Sequence, residues 1–267
     1  MTKYCFILGT GRSGTYSIFK SLENIEDINV NHESNFDFLL WLGTLKFHRK
    51  ISSDFIINEL QSYKEHIDSG LGSGERFFDV SNALPLIIPE LKEVFKDSTI
   101  VWVSRHAYKV VSSFYFKFED LMYPKVGMQV LLNFLKSNSG IDELLPDKRS
   151  CRPLYSSKMD SWMRLRNICY HWVHYESLAL DYSNLIDIKM KFEDISSDKI
   201  KIEEFLSFLG LSTSIVDMKY FAVPSNVAIP ENFEFDHREF EIFSEICGPL
   251  NSLIGYNPKG YKTVYLK

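Results

Sequence analysis

From Gly9 to Thr15 the chain reads GTGRSGT, a heptad whose residue types suit the holding of an anion. Gly9, Gly11 and Gly14 permit tight turns and close backbone approach, so several amide hydrogens can converge on one charge. Thr10, Ser13 and Thr15 bring hydroxyls, and Arg12 brings a guanidinium that can pair with a phosphate or sulfonate oxygen. The flanks fit that use. Tyr4 to Leu8 reads as a short buried strand and Tyr16 to Leu22 as a helix, so the loop opens onto the positive end of a helix dipole.

Two familiar phosphate motifs match this heptad incompletely. A Walker loop, G-x-x-x-x-G-K-[ST], shares the separation of Gly9 and Gly14, but Thr15 follows Gly14 directly and the lysine is missing. A dinucleotide fingerprint shares the three glycines, yet Asn29 or Asn31 stands where an acidic residue would hold the ribose. A purely structural glycine turn is the plain alternative. A second anion candidate lies in VWVSRHAYKVVSSFYFKF, beginning at Val101. Arg105 follows a candidate strand there, and Ser112 and Ser113 lie on a candidate helix, so a cation and a hydroxyl can reach one phosphate.

Beyond another candidate strand, NVNHES sets His32 and Glu33 at the end where open parallel sheets place their ligands. Either can accept a hydroxyl proton, His32 with an ordinary pKa near ~6.5 and Glu33 with one near ~4.3 that desolvation would raise. Asp79 and Ser81, in RFFDVS, are weaker acceptor-side candidates, and Asp79 also suits capping or holding a neighbour. His106 earns no role from adjacency to Arg105.

The elements that must position these groups alternate. Candidate strands lie at Tyr4–Leu8, Ile28–Val30, Arg76–Val80, Thr99–Val103 and Leu185–Met190. Candidate helices lie between and after them, at Pro85–Phe95, His106–Phe118, Met159–Tyr182, Ile200–Leu209 and Phe240–Leu250. That order predicts an α/β fold with a mostly parallel central sheet and flanking helices. Trp162, Leu165, Cys169, Trp172 and Ala179 share one helical face, a packing stripe. The aromatic segments Phe36–Phe47 and Phe114–Pro124 suit either a cleft wall or the core. No repeat or linker divides the 267 residues, so one domain is expected, with 34–70 and 119–158 as acceptor-pocket or lid regions.

Composition narrows the function classes. A net charge of −5 argues against extended nucleic-acid contact while leaving room for a local basic pocket. The four cysteines, Cys5, Cys151, Cys169 and Cys247, are scattered without a CxxC pair, so they suggest no metal site and leave a disulfide open. No apolar run approaches the ~20 residues of a membrane span, and the first strand starts too near Met1 for a signal peptide, which favours a cytoplasmic location.

Taken together, FILGTGRSGT and VSRHAYKVVSSFY resemble the two nucleotide-binding motifs of the sulfotransferase family that uses 3'-phosphoadenosine 5'-phosphosulfate (PAPS), closer to its bacterial or carbohydrate-directed members. The resemblance extends in order through RNICYHWVHYESLAL, LIDIKMKFEDIS and IEEFLSFLGL. It implies a P-loop-like three-layer fold related to nucleotide kinases and transfer of a sulfonate group to a hydroxyl, with a carbohydrate or glycolipid the favoured acceptor and 3'-phosphoadenosine 5'-phosphate (PAP) as product. By the same resemblance Thr10, Gly11, Arg12, Ser13, Gly14 and Thr15 hold the 5'-phosphosulfate, Arg105 and Ser113 hold the 3'-phosphate, and Arg12 with Glu33 or His32 serves catalysis. Many relatives carry lysine at the position of Arg12, whose planar fork changes the contact geometry. Many also close the nucleotide site with an arginine-lysine-glycine segment, of which NPKGYK keeps Lys259 and Gly260 at a later position.

No metal is implied, because a sulfonate carries less charge than a terminal phosphoryl group and amides, Arg12 and hydroxyls can stabilise it. A P-loop phosphotransferase and a non-catalytic nucleotide-binding protein remain the alternatives; oligomeric state is open.

Overall fold

The computed structural model describes residues 2–117, 163–222 and 233–257. The expected lid region 119–158, Cys151, Trp162, Lys259 and Gly260 lie outside these residues.

Five strands form one sheet: β1 (Tyr4–Gly9), β2 (Ile28–His32), β3 (Arg76–Ser81), β4 (Thr99–Ser104) and β5 (Ile188–Lys191). Their order is β2-β3-β1-β4-β5, and every pairing is parallel. Parallel neighbours need crossovers, and the intervening helices supply them on both faces. This is why β1, YCFILG, is buried at all six positions and carries no polar alternation.

Alternate side chains feed opposite layers. Tyr4, Phe6 and Leu8 of β1, with Ile100 and Trp102 of β4, pack against α2 (Phe36–Phe47), α3 (Ser53–Gly70) and α4 (Ile88–Val94), and against Tyr175, Leu178 and Ala179 of α6 (Met163–Asp181). Cys5 and Ile7, with Phe78, Val80, Val101 and Val103, face α1 (Thr15–Leu22), α7 (Phe192–Ser197), α8 (Lys199–Phe208) and α9 (Lys219–Ala222). A third cluster joins α5 (Ala107–Lys117), α6 and α10 (His237–Leu253) through Phe114, Trp172 and Phe243. The α/β expectation therefore holds, with the sheet wholly parallel among the described residues.

Local chemistry sets the ends of these helices. Ser52 caps α3 by accepting the Phe55 N–H, and α10 opens on a capping box between Asp236 and Glu239. The packing stripe on α6 is confirmed for Leu165, Cys169, Trp172 and Ala179, all buried. Cys5, Cys169 and Cys247 are buried free thiols.

Candidate functional site

The register sets the carboxyl ends of four adjacent strands side by side: His32 pairs with Val80, Leu8 with Ser81, and Gly9 with Val103. The loops that leave these strands share one edge of the sheet, where open parallel sheets bind ligands. The candidate residues from all four sequence segments meet there.

The glycine heptad is built for close approach. A Cβ at Gly9 would lie 2.4 Å from Ser13 Oγ and 2.8 Å from the Val103 carbonyl oxygen, and one at Gly14 would lie 2.1 Å from the Phe192 ring. Gly11, Arg12 and Gly14 take φ of 73, 57 and 96°, so the loop passes repeatedly through the left-handed region. For Arg12, which has a Cβ, that conformation is strained, and its neighbours must hold it. Gly14 caps α1 without any side-chain hydrogen bond. Ser13 is wholly buried, and its Oγ has no hydrogen-bond partner among the described residues. A buried hydroxyl left unmatched beside an uncapped helix start suits an anion's oxygens.

Arg12 links this loop to the second motif. Its Nε donates to Ser113 Oγ at 2.8 Å, and its carbonyl oxygen accepts from Arg105 Nη1 at 2.9 Å. The guanidinium of Arg105 lies 5.3 Å from the centre of the Phe192 ring, the same ring that abuts Gly14. Arg12, Arg105 and Ser113 thus form one cluster, while Ser112 turns back to its own helix and donates to the Tyr108 carbonyl. Thr10 is buried, donates to the Gly11 carbonyl at 3.1 Å, and through its own carbonyl accepts from His171 Nε2 at 3.1 Å.

Acceptor-side candidates stand on the other flank. Glu33 has φ of 58°, and its N–H donates to the Val80 carbonyl at 3.1 Å, which ties the turn after β2 to β3. Its carboxylate accepts a hydrogen bond from Asn82 Nδ2. Asn82 in turn lies 3.3 Å from where a Gly11 Cβ would be, so it spans from Glu33 to the glycine loop. His32 packs edge-on to Tyr16 at 5.3 Å and beside Phe19 at 5.5 Å. Burial there pulls its pKa down to about 4, so the imidazole is neutral near pH 7 and its 4.0 Å approach to Glu33 is not an ion pair.

Asp79 is wholly buried. Its Oδ1 accepts the Ser34 N–H at 3.2 Å, its Oδ2 has no partner among the described residues, and burial, helped by the charge of Glu33, pushes its pKa up to about 8. Ser81 accepts the Ala83 N–H at 3.1 Å and shapes the next turn. The His106 ring is committed elsewhere: Nδ1 accepts from the Tyr108 N–H at 3.1 Å and Nε2 donates to the Asn257 carbonyl at 2.9 Å.

Several site neighbours escaped the sequence reading. Asn82 had a signal of sorts, lying one residue past Ser81 at a strand end. His171, Phe192 and Glu193 had none, because each reaches the site from a distant stretch of chain. Glu193 accepts the His106 N–H at 3.1 Å and the Tyr256 hydroxyl at 2.9 Å. Glu176 lies deeper, wholly buried, accepting from Trp102 Nε1 at 3.0 Å and Ser104 Oγ at 2.8 Å, and burial pushes it up to about 7.

Among the described residues no group of three His, Cys, Asp or Glu side chains comes together as a metal site, and no helix is long and apolar enough to cross a membrane. No family model matches the chain, and no curated protein matches it. Among solved structures it is similar to a sulfotransferase from Alicyclobacillus acidocaldarius, at 13% identity and a TM-score of 0.48, over 96% of this chain and 97% of that one. It is also similar to a sulfotransferase domain from the curacin biosynthetic pathway, at 13% identity and a TM-score of 0.47, over 96% of this chain and 99% of that one.

Proposed function

We propose that this chain is a sulfotransferase that moves a sulfonate group from PAPS to an acceptor hydroxyl. The observation that carries the reading is the joining of the two anion motifs through Arg12, which bonds Ser113 with its side chain and Arg105 with its carbonyl. Two anion-binding elements in contact suit a ligand with charge at two places, as a nucleotide with separate 5' and 3' groups has.

In this reading the loop amides, Ser13, Thr15 and the start of α1 receive the 5' group, and Arg105 and Ser113 receive the 3'-phosphate. The transferred sulfur forms a bond to the acceptor oxygen as its bond to the phosphate oxygen breaks, and PAP departs. Negative charge grows on that phosphate oxygen, and Arg12 and the loop amides are the donors placed to stabilise it. The acceptor's proton goes to Glu33, which Asn82 holds beside the loop. His32 is the weaker base, since burial favours its neutral form but lowers its proton affinity. The acceptor is a hydroxyl compound, with a carbohydrate or glycolipid the favoured class.

The direct test is incubation of the purified protein with PAPS and a panel of sugar, glycolipid and phenolic hydroxyl acceptors, reading PAP release and product mass together. Sulfated product that disappears with Arg12→Ala supports the reading. Turnover of ATP with Mg²⁺ and no response to PAPS selects a phosphotransferase instead.

A further inference from the structure

Helix α6 carries two adjacent ring donors, and each ends on the backbone of a different anion motif. His171 Nε2 lies 3.1 Å from the Thr10 carbonyl oxygen, and because a carbonyl only accepts, that nitrogen bears the proton. Trp172 Nε1 donates to the Arg105 carbonyl at 3.3 Å. Neighbouring residues diverge by about 100° around a helix, so a single turn of α6 reaches both segments. Both side chains are wholly buried. The His171 ring packs edge-on to Phe114 at 5.2 Å and against Tyr175 at 4.3 Å, and the tip of Phe114 lies 3.3 Å from where a Gly11 Cβ would be. Arg105 Nη1 closes the circuit by donating to the Arg12 carbonyl at 2.9 Å. From Thr10 to Arg12 every carbonyl is therefore held by a side chain, the Gly11 carbonyl by the Thr10 hydroxyl. These peptides are trans, so the amides of Gly11, Arg12 and Ser13 each point away from the donor that holds their peptide. That leaves the amides turned outward, as an anion nest requires.

We propose that His171 and Trp172 are positioning residues that set the span between the two anion motifs, so that the edge selects a nucleotide whose 5' and 3' groups lie a fixed distance apart. The inference rests on the proposed function. Each residue acts through a backbone carbonyl. A ligand anchored at one motif meets the other at a local concentration set by how firmly the span is held. A nucleotide with one phosphate uses one motif at a time and gains nothing from that firmness. Removing either ring donor leaves a buried carbonyl unmatched and lets its segment shift.

The test is calorimetric titration of wild type, His171→Phe, His171→Gln and Trp172→Phe with PAP and, in parallel, with adenosine 5'-phosphate and adenosine 3'-phosphate. Phe keeps a ring in each cavity and removes the donor; Gln returns an amide donor at position 171. The expected result is a loss of roughly fivefold or more in PAP affinity for each Phe variant, with both one-phosphate nucleotides within about twofold of wild type and most of the loss restored in His171→Gln. His171→Leu and Trp172→Leu give the same comparison should a Phe variant not fold. Folded variants that keep the wild-type ratio of PAP to one-phosphate affinity, whether all three ligands weaken together or none does, overturn the inference and leave the donor-site reading standing. Wild type that binds PAP no better than the one-phosphate nucleotides overturns the reading and the inference with it.

Discussion

At the scale of single residues, the proposed donor binding and transfer turn on Arg12, Arg105, Glu33 and Gly14. Arg105→Ala removes the donor to the Arg12 carbonyl and the proposed charge-assisted phosphate contact, so PAP binding should weaken by about 1.5–3 kcal/mol, some tenfold to a hundredfold. Unchanged titration by a folded variant contradicts the role. Gly14→Ala should be worse than its small size suggests: φ of 96° alone costs about 1–2 kcal/mol for an L-residue, and the added carbon meets the Phe192 ring. Its melting temperature and nucleotide affinity should fall together. Glu33→Gln should abolish turnover while leaving PAP binding within about twofold, since the amide keeps a partner for Asn82 but accepts no proton. Full activity in Glu33→Gln moves the base assignment to His32. These candidates stand out in the sequence because motif chemistry is local: glycines, a guanidinium and hydroxyls within one heptad suit an anion loop. The contacts between them do not, since Arg12 and Ser113 meet across 101 residues of sequence.

At the scale of elements, the described strands fell near their expected positions because buried parallel strands are short apolar runs bounded by turns. The helices were less legible. α2 is buried at seven consecutive positions from Leu39 to Leu45, so it shows no amphipathic period by which to recognise a helix. α3 buries Ile56, Leu60, Tyr63 and Ile67 at helical spacing and FEDISS forms α7, two helices outside the candidate set drawn from the sequence. Helix α6 shows what an element adds to a site. Besides its apolar stripe it carries His171, which holds the Thr10 carbonyl, and Glu176, which joins Trp102 and Ser104 near the end of β4. Buried polar residues of this kind look like surface residues in sequence. They also predict a pH dependence. Asp79 and Glu176 titrate near 4 when unfolded but are pushed up to about 8 and about 7 in the fold, chiefly by burial. Between those limits the native state holds protons that the unfolded chain has released, so their contribution to stability is greatest below pH about 4 and is lost as pH rises through 7 and 8. Thermal melts across pH 5–9 should therefore show a flatter decline for Asp79→Asn than for wild type. Parallel curves contradict the burial argument.

At the scale of the whole molecule, the parallel sheet brings four loops to one edge, and the three apolar clusters hold that edge from both faces. Helix α10 and the residues after it belong to the same arrangement: Asn251 Oδ1 accepts the Ala107 N–H at the start of α5, and the Asn257 carbonyl holds His106. The edge thus draws on residues from nearly the full described chain, and it is proposed to recognise a nucleotide with two separated anionic groups. Calorimetric titration of the wild-type protein with PAP, against ADP under matched conditions, tests that claim most directly. Marked preference for PAP is the predicted result. Equal affinity for the two, or binding of neither, would contradict it.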